Sequence, residues 1–479
     1  MEYNIVIGLE THAELNTDTK LFCGCSTSFG SEPNTQTCPI CLGLPGVLPV
    51  INRKAFDHTL KTALALNCEI NDFVNFDRKN YYYPDLPKNY QISQNHFNVG
   101  NNGSVDIIVK GEKKRIGINN VHLEEDAGKL VHPEASDAGH SLIDFNRAGV
   151  PLVEIVTNPD LRSIDDVQGY MHTLRNILQY INVSDCKMQE GSLRFEASIS
   201  LCRKGAKVFG NRVEIKNLNS MKAVMKVLAY EISRQKELLD KGAQIVMETR
   251  LWDEVDGVSR RMRTKEEAHD YRYFPEPDLV PILVDKKSID RIRETIPELS
   301  AMRRQRFTSE YLISDYEAGI LTESKPLADY FEECVKLTIV SPKELSNWII
   351  NDVLRVLNEK KSHIQDFTIS PKMLVDLIEM KSEIGGSIAK EVFSEMSNTG
   401  KDASSIVREK NLTPLSNAEE LNFIISKIIE DNPKAIEDYG KGKKSALSFL
   451  VGQTMKITKG KANPKILIDI FREKLENNL

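Results

Sequence analysis

A chain of 479 residues with 41% hydrophobic and 28% charged side chains has an ordinary globular composition and length for two to four domains. Its net charge of −6 gives no bulk attraction for nucleic acid, so such a partner would need a local basic patch. No apolar run reaches the roughly 18–20 residues of a membrane span, MEYNIVIGLE lacks the regions of a secretory signal, and eight cysteines make no disulfide scaffold, which together predict a cytosolic protein whose clustered thiols bind metal.

In IVIGLETHAEL, Glu10 and His12 are two apart and share a face if the segment is extended. Cys23, Cys25, Cys38 and Cys41 follow with the spacing C-x-C, twelve residues, C-x-x-C. Four thiolates at about 2.3 Å close a tetrahedral zinc site and leave no position for water, so a structural zinc is expected. Four unrelated core cysteines are the alternative, and Cys68, Cys186, Cys202 and Cys334 are read that way. FDRKNYYYPDLPKNYQIS sets Arg78, Lys79 and Lys88 beside Tyr81, Tyr82, Tyr83 and Tyr90. Cations beside rings suit a phosphate-bearing ligand with a base or ribose to stack; tyrosines packed on a sheet would look the same. Val105 to Val109 and Arg115 to Ile118 flank a Gly-Glu-Lys-Lys turn, which predicts a hairpin.

NVHLEEDAG carries Glu124, Glu125 and Asp126 in succession, so either face of a strand supplies an acid. In VPLVEIV, Glu154 is the only charge among six apolar residues, and a lone buried carboxylate is costly unless paired or metal-bound. A helix is predicted from about Ile164 to Ile181, capped by Ser163, with Val167, Tyr170, Met171, Leu174, Leu178 and Ile181 as its stripe. Leu193 to Leu201 alternates as a strand, with Arg194 and Glu196 opposite its apolar face. In VEIKNLNS, Glu214 and Lys216 share a face; a second helix runs from Met221 to about Leu239, capped by Ser220 and stopped near Gly242. DYRYFPEPDL, from Asp270 to Leu279, repeats the mixture of cations and rings.

From about Glu294 the pattern becomes helical. Ser341-Pro342-Lys343-Glu344 reads as a capping box, Ser370-Pro371 and Ser416 to Glu419 as further helix starts, and Gly385-Gly386-Ser387 as a turn. Tyr439 to Lys465 holds Lys441, Lys443, Lys444, Lys456, Lys459, Lys461 and Lys465 and no acid, enough to neutralise several phosphates unless it is a solvated helix face. The fold class is therefore α+β: a strand-rich antiparallel domain over 1–293, an all-α domain over 294–405 and a small helical tail over 406–479. Oxygen ligands with an imidazole suit Mg²⁺ or Mn²⁺ better than zinc, so the acid-bearing strands together point to a hard-ligand divalent site, whereas each residue alone reads first as a satisfied ion pair or hydrogen bond. No G-x-x-x-x-G-K-[ST] loop is present, so any ATP would bind at a different kind of site.

The strings IGLETHAEL, CPICLGLPGVLPV, FDRKNYYYPDLPKNYQIS, LEEDAGK, DFNRAGVPLVEIV, EGSLR, EIKNLNS, DYRYFPEPDL and FLVGQTMK followed by KGKANP resemble, in this order, the B subunits of bacterial aspartyl/glutamyl-tRNA(Asn/Gln) amidotransferases, along nearly the whole chain. The resemblance implies a cradle-shaped catalytic domain, then a helical domain and a YqeY-like tail that contacts tRNA. It implies an ATP-dependent carbon–nitrogen ligase of protein biosynthesis. In it the side-chain carboxylate of Glu-tRNA(Gln) or Asp-tRNA(Asn) is phosphorylated and then amidated. The ammonia comes from glutamine on an amidase A subunit, and a small C subunit completes a heterotrimer. It further implies Glu10, His12, Glu125 and Glu154 as Mg²⁺ ligands with Glu124 in support, and Lys79, Arg194 and Lys216 as phosphate partners. Tyr81, Tyr82 and Glu214 would position nucleotide or aminoacyl end, and Lys441, Lys443, Lys444, Lys456, Lys459 and Lys461 would meet tRNA. This chain departs from the family after Arg194, where Glu196 and Ser198 stand for the usual Asp and Asn; the extra methylene moves the acid's reach on the order of 1 Å. Ser448 stands where the family tends to have Gly. A non-catalytic tRNA-binding scaffold and an unrelated metal-dependent phosphohydrolase are the competing functions.

Overall fold

The computed structural model describes residues 2–131, 140–206, 208–264, 271–410, 412, 418–441, 443–458 and 464–476. The chain divides into two units, Met1–Leu299 and Ser300–Leu479. Strands of the first, in chain order, are β1 (Tyr3–Glu14), β2 (Glu69–Ile70), β3 (Phe73–Val74), β4 (Asp77–Asn80), β5 (Tyr90–Ser93), β6 (Gly100–Val109), β7 (Glu112–Glu125), β8 (Lys129–Val131), β9 (Leu142–Asp144), β10 (Pro151–Thr157), β11 (Leu193–Arg203), β12 (Val213–Lys216), β13 (Glu248–Asp253), β14 (Val258–Thr264), β15 (Phe274–Pro275) and β16 (Ile282–Leu283). Nine of them form one sheet in the order β14-β13-β12-β11-β1-β10-β7-β6-β2, and β15-β4-β5 form a smaller one.

Three helices follow from local chemistry. They are α1 (Arg53–Ala65), α2 (Ile164–Tyr180) and α3 (Met221–Asp240). The Ser163 side chain accepts the N–H of Asp166, and the Ser220 side chain that of Ala223, satisfying amides the helices cannot. Beyond α3 the chain turns at Gly242, whose φ of +76° favours glycine. The stripe of α2 is buried as its spacing predicts, and so are Leu193, Phe195, Ala197, Ile199 and Leu201 of β11. Ile7, Leu9 and Ala13, Val153 and Ile155, and Val121 and Leu123 join the helices in one core. Since side chains alternate along a strand, the other face of the same strands is left for polar residues.

Two expectations are corrected. The large sheet is not wholly antiparallel: β12 and β13 run parallel, with α3 as the crossover such a pair needs. The β6–β7 hairpin turns on Lys110 and Gly111 alone, at φ of +53° and +82°, and Val109 pairs with Glu112. Such a two-residue turn matches the strand twist, so Glu112 to Lys114 are strand and not turn.

Every regular element of the second unit among the described residues is a helix. One core gathers side chains from Phe307 to Leu412 and another from Leu421 to Leu475. Ser341 caps Pro342–Trp348 by accepting from Glu344 N–H, but the Glu344 carboxylate goes to Lys381 at 2.6 Å, so half of the expected box forms. The apolar stripe continues through a π-turn, Ile349–Val353, into Leu354–Lys360. Gly385, at φ +85°, ends Pro371–Ile384, and Gly386 and Ser387 already belong to the next helix. Ser416 lies outside the described residues. No helix among the described residues is long and apolar enough to cross a membrane.

A complete capping box does form, between Ser314 and Glu317. Glu317 also accepts from Lys343 at 2.5 Å and Ser346 at 3.2 Å, and its carboxyl is held down to about 2: burial opposes the shift, and Lys343 and Ser314 outweigh it. A depressed carboxyl stabilises above its ordinary pKa and loses that contribution as pH falls through the folded value. Glu317→Gln should therefore lower the unfolding temperature at neutral pH and flatten the acid limb between about pH 4.5 and 2, as read by thermal melts across that range.

Candidate metal and phosphate site

Four strands bring the site together through register alone. His12 of β1 lies opposite Glu154 of β10, Glu154 opposite His122 of β7, and His12 opposite Arg194 of β11. One row along, Glu10 lies opposite Glu196, whose carboxylate accepts from Lys216 of β12 at 2.6 Å. All of these sit on the face away from the core. Glu154 is 3.3 Å from His12 Nε2 and 3.1 Å from His122 Nε2, and Glu124 is 3.8 Å from each imidazole. Ligand atoms of His12, Glu124 and Glu154 fall within 4.8 Å of one another. One imidazole and two carboxylates at that separation could hold a hard divalent cation.

The electrostatics are those of acids crowded out of water. Burial, then Glu154, Glu196 and Glu214, push the Glu10 carboxyl up to about 7. Burial and Asp126 do the same to Glu14, also to about 7. For Glu154 burial works the other way from the outcome: His122 and His12 overcome it and hold the carboxyl well below its usual range. His122 is pushed up to about 10 against its burial, by Glu154 and Glu124, and His12 is raised for the same reason. His122 is not among the residues that the sequence singles out. Its signal is nonetheless there: it stands two before Glu124, hence on the same face of any strand.

Consecutive acids on β7 must diverge, and Glu125 goes to the opposite side from Glu124. It is ion-paired with Lys88 and accepts from Ile92 N–H at 2.9 Å, facing a cavity shared with Lys20, Phe22 and Cys41. Of the two acids it is Glu124, not Glu125, whose ligand atom groups with those of His12 and Glu154.

The nearby cations are not equivalent. Arg78 is committed to Glu276 by two hydrogen bonds at 2.7 and 2.8 Å. Arg194 donates to Asp126 at 2.7 Å, and Lys216 is shared between Glu196 at 2.6 Å and Glu214 at 3.1 Å. Lys79 has no ion-pair partner among the described residues; its Nζ lies 5.9 Å from the Tyr81 ring and 5.2 Å from that of Tyr271. Burial opposes its charge, yet Glu124, Tyr273 and Glu154 hold its pKa well above the ordinary lysine value. An ammonium so placed can accept an incoming anion without first breaking an ion pair. The Tyr81 hydroxyl donates to Gln91 at 3.3 Å, whereas Tyr82 is 74% exposed and stands away from this group.

The four clustered cysteines also meet: one sulfur each from Cys23, Cys25, Cys38 and Cys41 lies within 4.8 Å of the others, a group that could hold a metal ion. The Cys38 N–H points at Cys41 Sγ, 3.2 Å away. Hydrogen bonding from Cys23, opposed by burial and aided by Cys38 and Lys20, holds the Cys41 thiol down to about 4. Cys186, Cys202 and Cys334 are buried singly, and Cys68 packs partly buried against the core.

In the tail, Lys441 pairs with Glu437 and Lys443 donates to Asp438 at 2.9 Å, acids that stand just before the acid-free stretch. Lys456 is exposed. Lys459 and Lys461, and the side chain of Lys444, lie outside the described residues, as does Asp270.

Comparison with known proteins agrees with this division of the chain. The family model for the GatB/GatE catalytic domain matches residues 5–290, and that for the GatB domain matches residues 329–475. The chain is 52% identical over 477 residues to the B subunit of the aspartyl/glutamyl-tRNA(Asn/Gln) amidotransferase of Carboxydothermus hydrogenoformans, covering 99% of both chains. It is 53% identical to the corresponding protein of Caldanaerobacter subterraneus subsp. tengcongensis, covering 99% of this chain and 100% of the relative. With that of Thermodesulfovibrio yellowstonii it shares 51% over 98% of this chain and 99% of the other. With both halves matched and half of all positions identical along essentially its full length, the chain belongs to the B-subunit family of aspartyl/glutamyl-tRNA amidotransferases.

Proposed function

We propose that this chain is the ATP-using subunit of a tRNA-dependent amidotransferase and phosphorylates the side-chain carboxylate of Glu-tRNA(Gln), Asp-tRNA(Asn) or both. The observation that supports this best is the convergence of His12, Glu124 and Glu154 on the open face of the sheet, beside an ammonium, Lys79, that has no ion-pair partner among the described residues. The donor set fits Mg²⁺, with Glu10 the adjoining acid; a cation there supplies charge neutralisation to phosphoryl oxygens. His12, Glu124 and Glu154 would hold it, and Lys79, with the Tyr81 and Tyr271 rings beside its ammonium, would meet the anionic phosphate. Arg194, Lys216, Glu196 and Glu214 form the ion-paired rim that positions nucleotide and aminoacyl end. Phosphoryl transfer to the carboxylate gives an acyl phosphate. Ammonia from glutamine then attacks its carbonyl: a C–N bond forms, the C–O bond to phosphate breaks, and the amide and inorganic phosphate leave.

The amidase A subunit would supply the ammonia and a small C subunit would complete the complex. At the cysteine cluster the residues fit a structural Zn²⁺: four thiolates around it leave a net charge that the fully buried Lys20, 3.6 Å from Cys41 Sγ, offsets. The test is phosphate release by the assembled complex with ATP, Mg²⁺ and misacylated tRNA. Release should require all three, and Lys79→Met should reduce it about 10²-fold. Equal release without misacylated tRNA, or by Lys79→Met at the wild-type rate, would overturn the reading.

A further inference from the structure

We propose that Ser93 is a positioning residue that decides which oxygen of Glu124 faces the divalent cation; this rests on the metal reading above. The need for such a residue comes from the sheet. β7 outlasts its neighbour: its pairing with β6 ends where Gly100 meets Val121, so from Leu123 onward that edge of β7 has no strand paired to it. The segment from Tyr90 to Gln94 takes over that edge with side chains. Gln94 Oε1 accepts the Leu123 N–H at 2.9 Å, and Gln91 Nε2 donates to the Glu125 carbonyl at 2.8 Å. These contacts fix β5 against the acid pair, since a slip of one residue would break both.

On that splint, neighbouring residues of β5 reach opposite faces. The Ile92 N–H bonds Glu125 Oε1 at 2.9 Å, and the Ser93 hydroxyl donates to Glu124 Oε2 at 3.0 Å. Ser93 is 3% and Glu124 2% exposed, so water does not compete for that bond. Oε2, held by Ser93, lies 3.8 Å from His122 Nε2, and Oε1 is the oxygen turned to His12, 3.8 Å from its Nε2, the imidazole whose ligand atom groups with those of Glu124 and Glu154. A carboxylate already held by one oxygen binds a cation with the other without first being ordered.

Mn²⁺ binding to the assembled complex, followed by electron paramagnetic resonance without nucleotide, tests this. Ser93→Ala should weaken Mn²⁺ binding about tenfold. Ser93→Thr, which keeps the hydroxyl, should stay within about twofold of wild type. Glu124→Gln should lose most of the binding. If wild type binds, Glu124→Gln does not, and Ser93→Ala equals wild type, the role of Ser93 is overturned and the metal site stands. Equal loss in Ser93→Ala and Ser93→Thr at an unchanged unfolding temperature would assign the effect to packing and overturn it as well. No saturable binding by wild type would remove the metal reading itself, and this proposal with it.

Discussion

Glu154→Gln is expected to reduce tRNA-dependent ATP turnover by about 10²- to 10³-fold while the protein stays folded. Glu154 stands between two imidazoles at 3.3 and 3.1 Å, and an amide of the same shape can still hydrogen-bond both. What is lost is the charge that would hold the cation and keep His12 and His122 in place. The same charge should be visible in the metal-free protein. Glu154 is held well below its ordinary value of 4.5, so its contribution to stability is present above that value and lost as pH falls. His122 is raised from 6.5 to about 10, so its contribution is full below 6.5 and lost as pH rises toward 10. The two are one interaction seen from either partner, and it is strongest between about pH 4.5 and 6.5. Thermal unfolding in a chelator should therefore fall off on both sides of that window for wild type and more flatly for Glu154→Gln. Parallel profiles, or near-normal turnover by the variant, would remove Glu154 from the centre of the site.

Cys41→Ser should cost the bound metal and several kcal/mol of stability, because a closed thiolate site contributes its binding energy to folding. The damage should spread beyond the cysteines. The Asn34 side chain accepts from Phe145 N–H at 2.8 Å and donates to the Ile143 carbonyl at 2.9 Å; Gln36 N–H donates to Asn146 at 2.8 Å, and Leu21 N–H to the Gly149 carbonyl at 2.8 Å. The cysteine-bearing segment thereby braces the residues that lead into β10, the strand of Glu154. Metal analysis should return about one zinc per wild-type chain and none for the variant. A chelator should bring the wild-type melting temperature down to that of the variant and leave the variant unmoved. Full metal content in Cys41→Ser would show that the remaining thiols suffice and that the four do not act as one site.

How much of this was legible in the sequence depends on the range of the interaction involved. Ser163 and Ser220 announced their helices because a cap is satisfied within three residues. Leu193 to Leu201 announced its strand because alternation is a property of the backbone itself, and the cysteine spacing announced a ligand group because two tight turns suffice to form it. The parity rule also placed Glu10 with His12 and Glu214 with Lys216. Parity says nothing, however, about which face of β7 becomes core; the inward packing of Val121 and Leu123 is what distinguishes Glu124 from Glu125. Nor does it give register between strands far apart in sequence; the row Arg194, His12, Glu154 and His122 exists only because β11, β1, β10 and β7 pair in that alignment. Ion pairing was hidden for the same reason: Arg78 is neutralised by Glu276, nearly 200 residues away, whereas Lys79, its neighbour, forms no ion pair among the described residues. The sequence by itself determined the elements, the family strings and the cysteine group, because those depend on local spacing. Only the tertiary structure decided which acids converge, how differently Arg78 and Lys79 are partnered among the described residues and what holds Glu124 in place, because those depend on contacts that close over long stretches of chain.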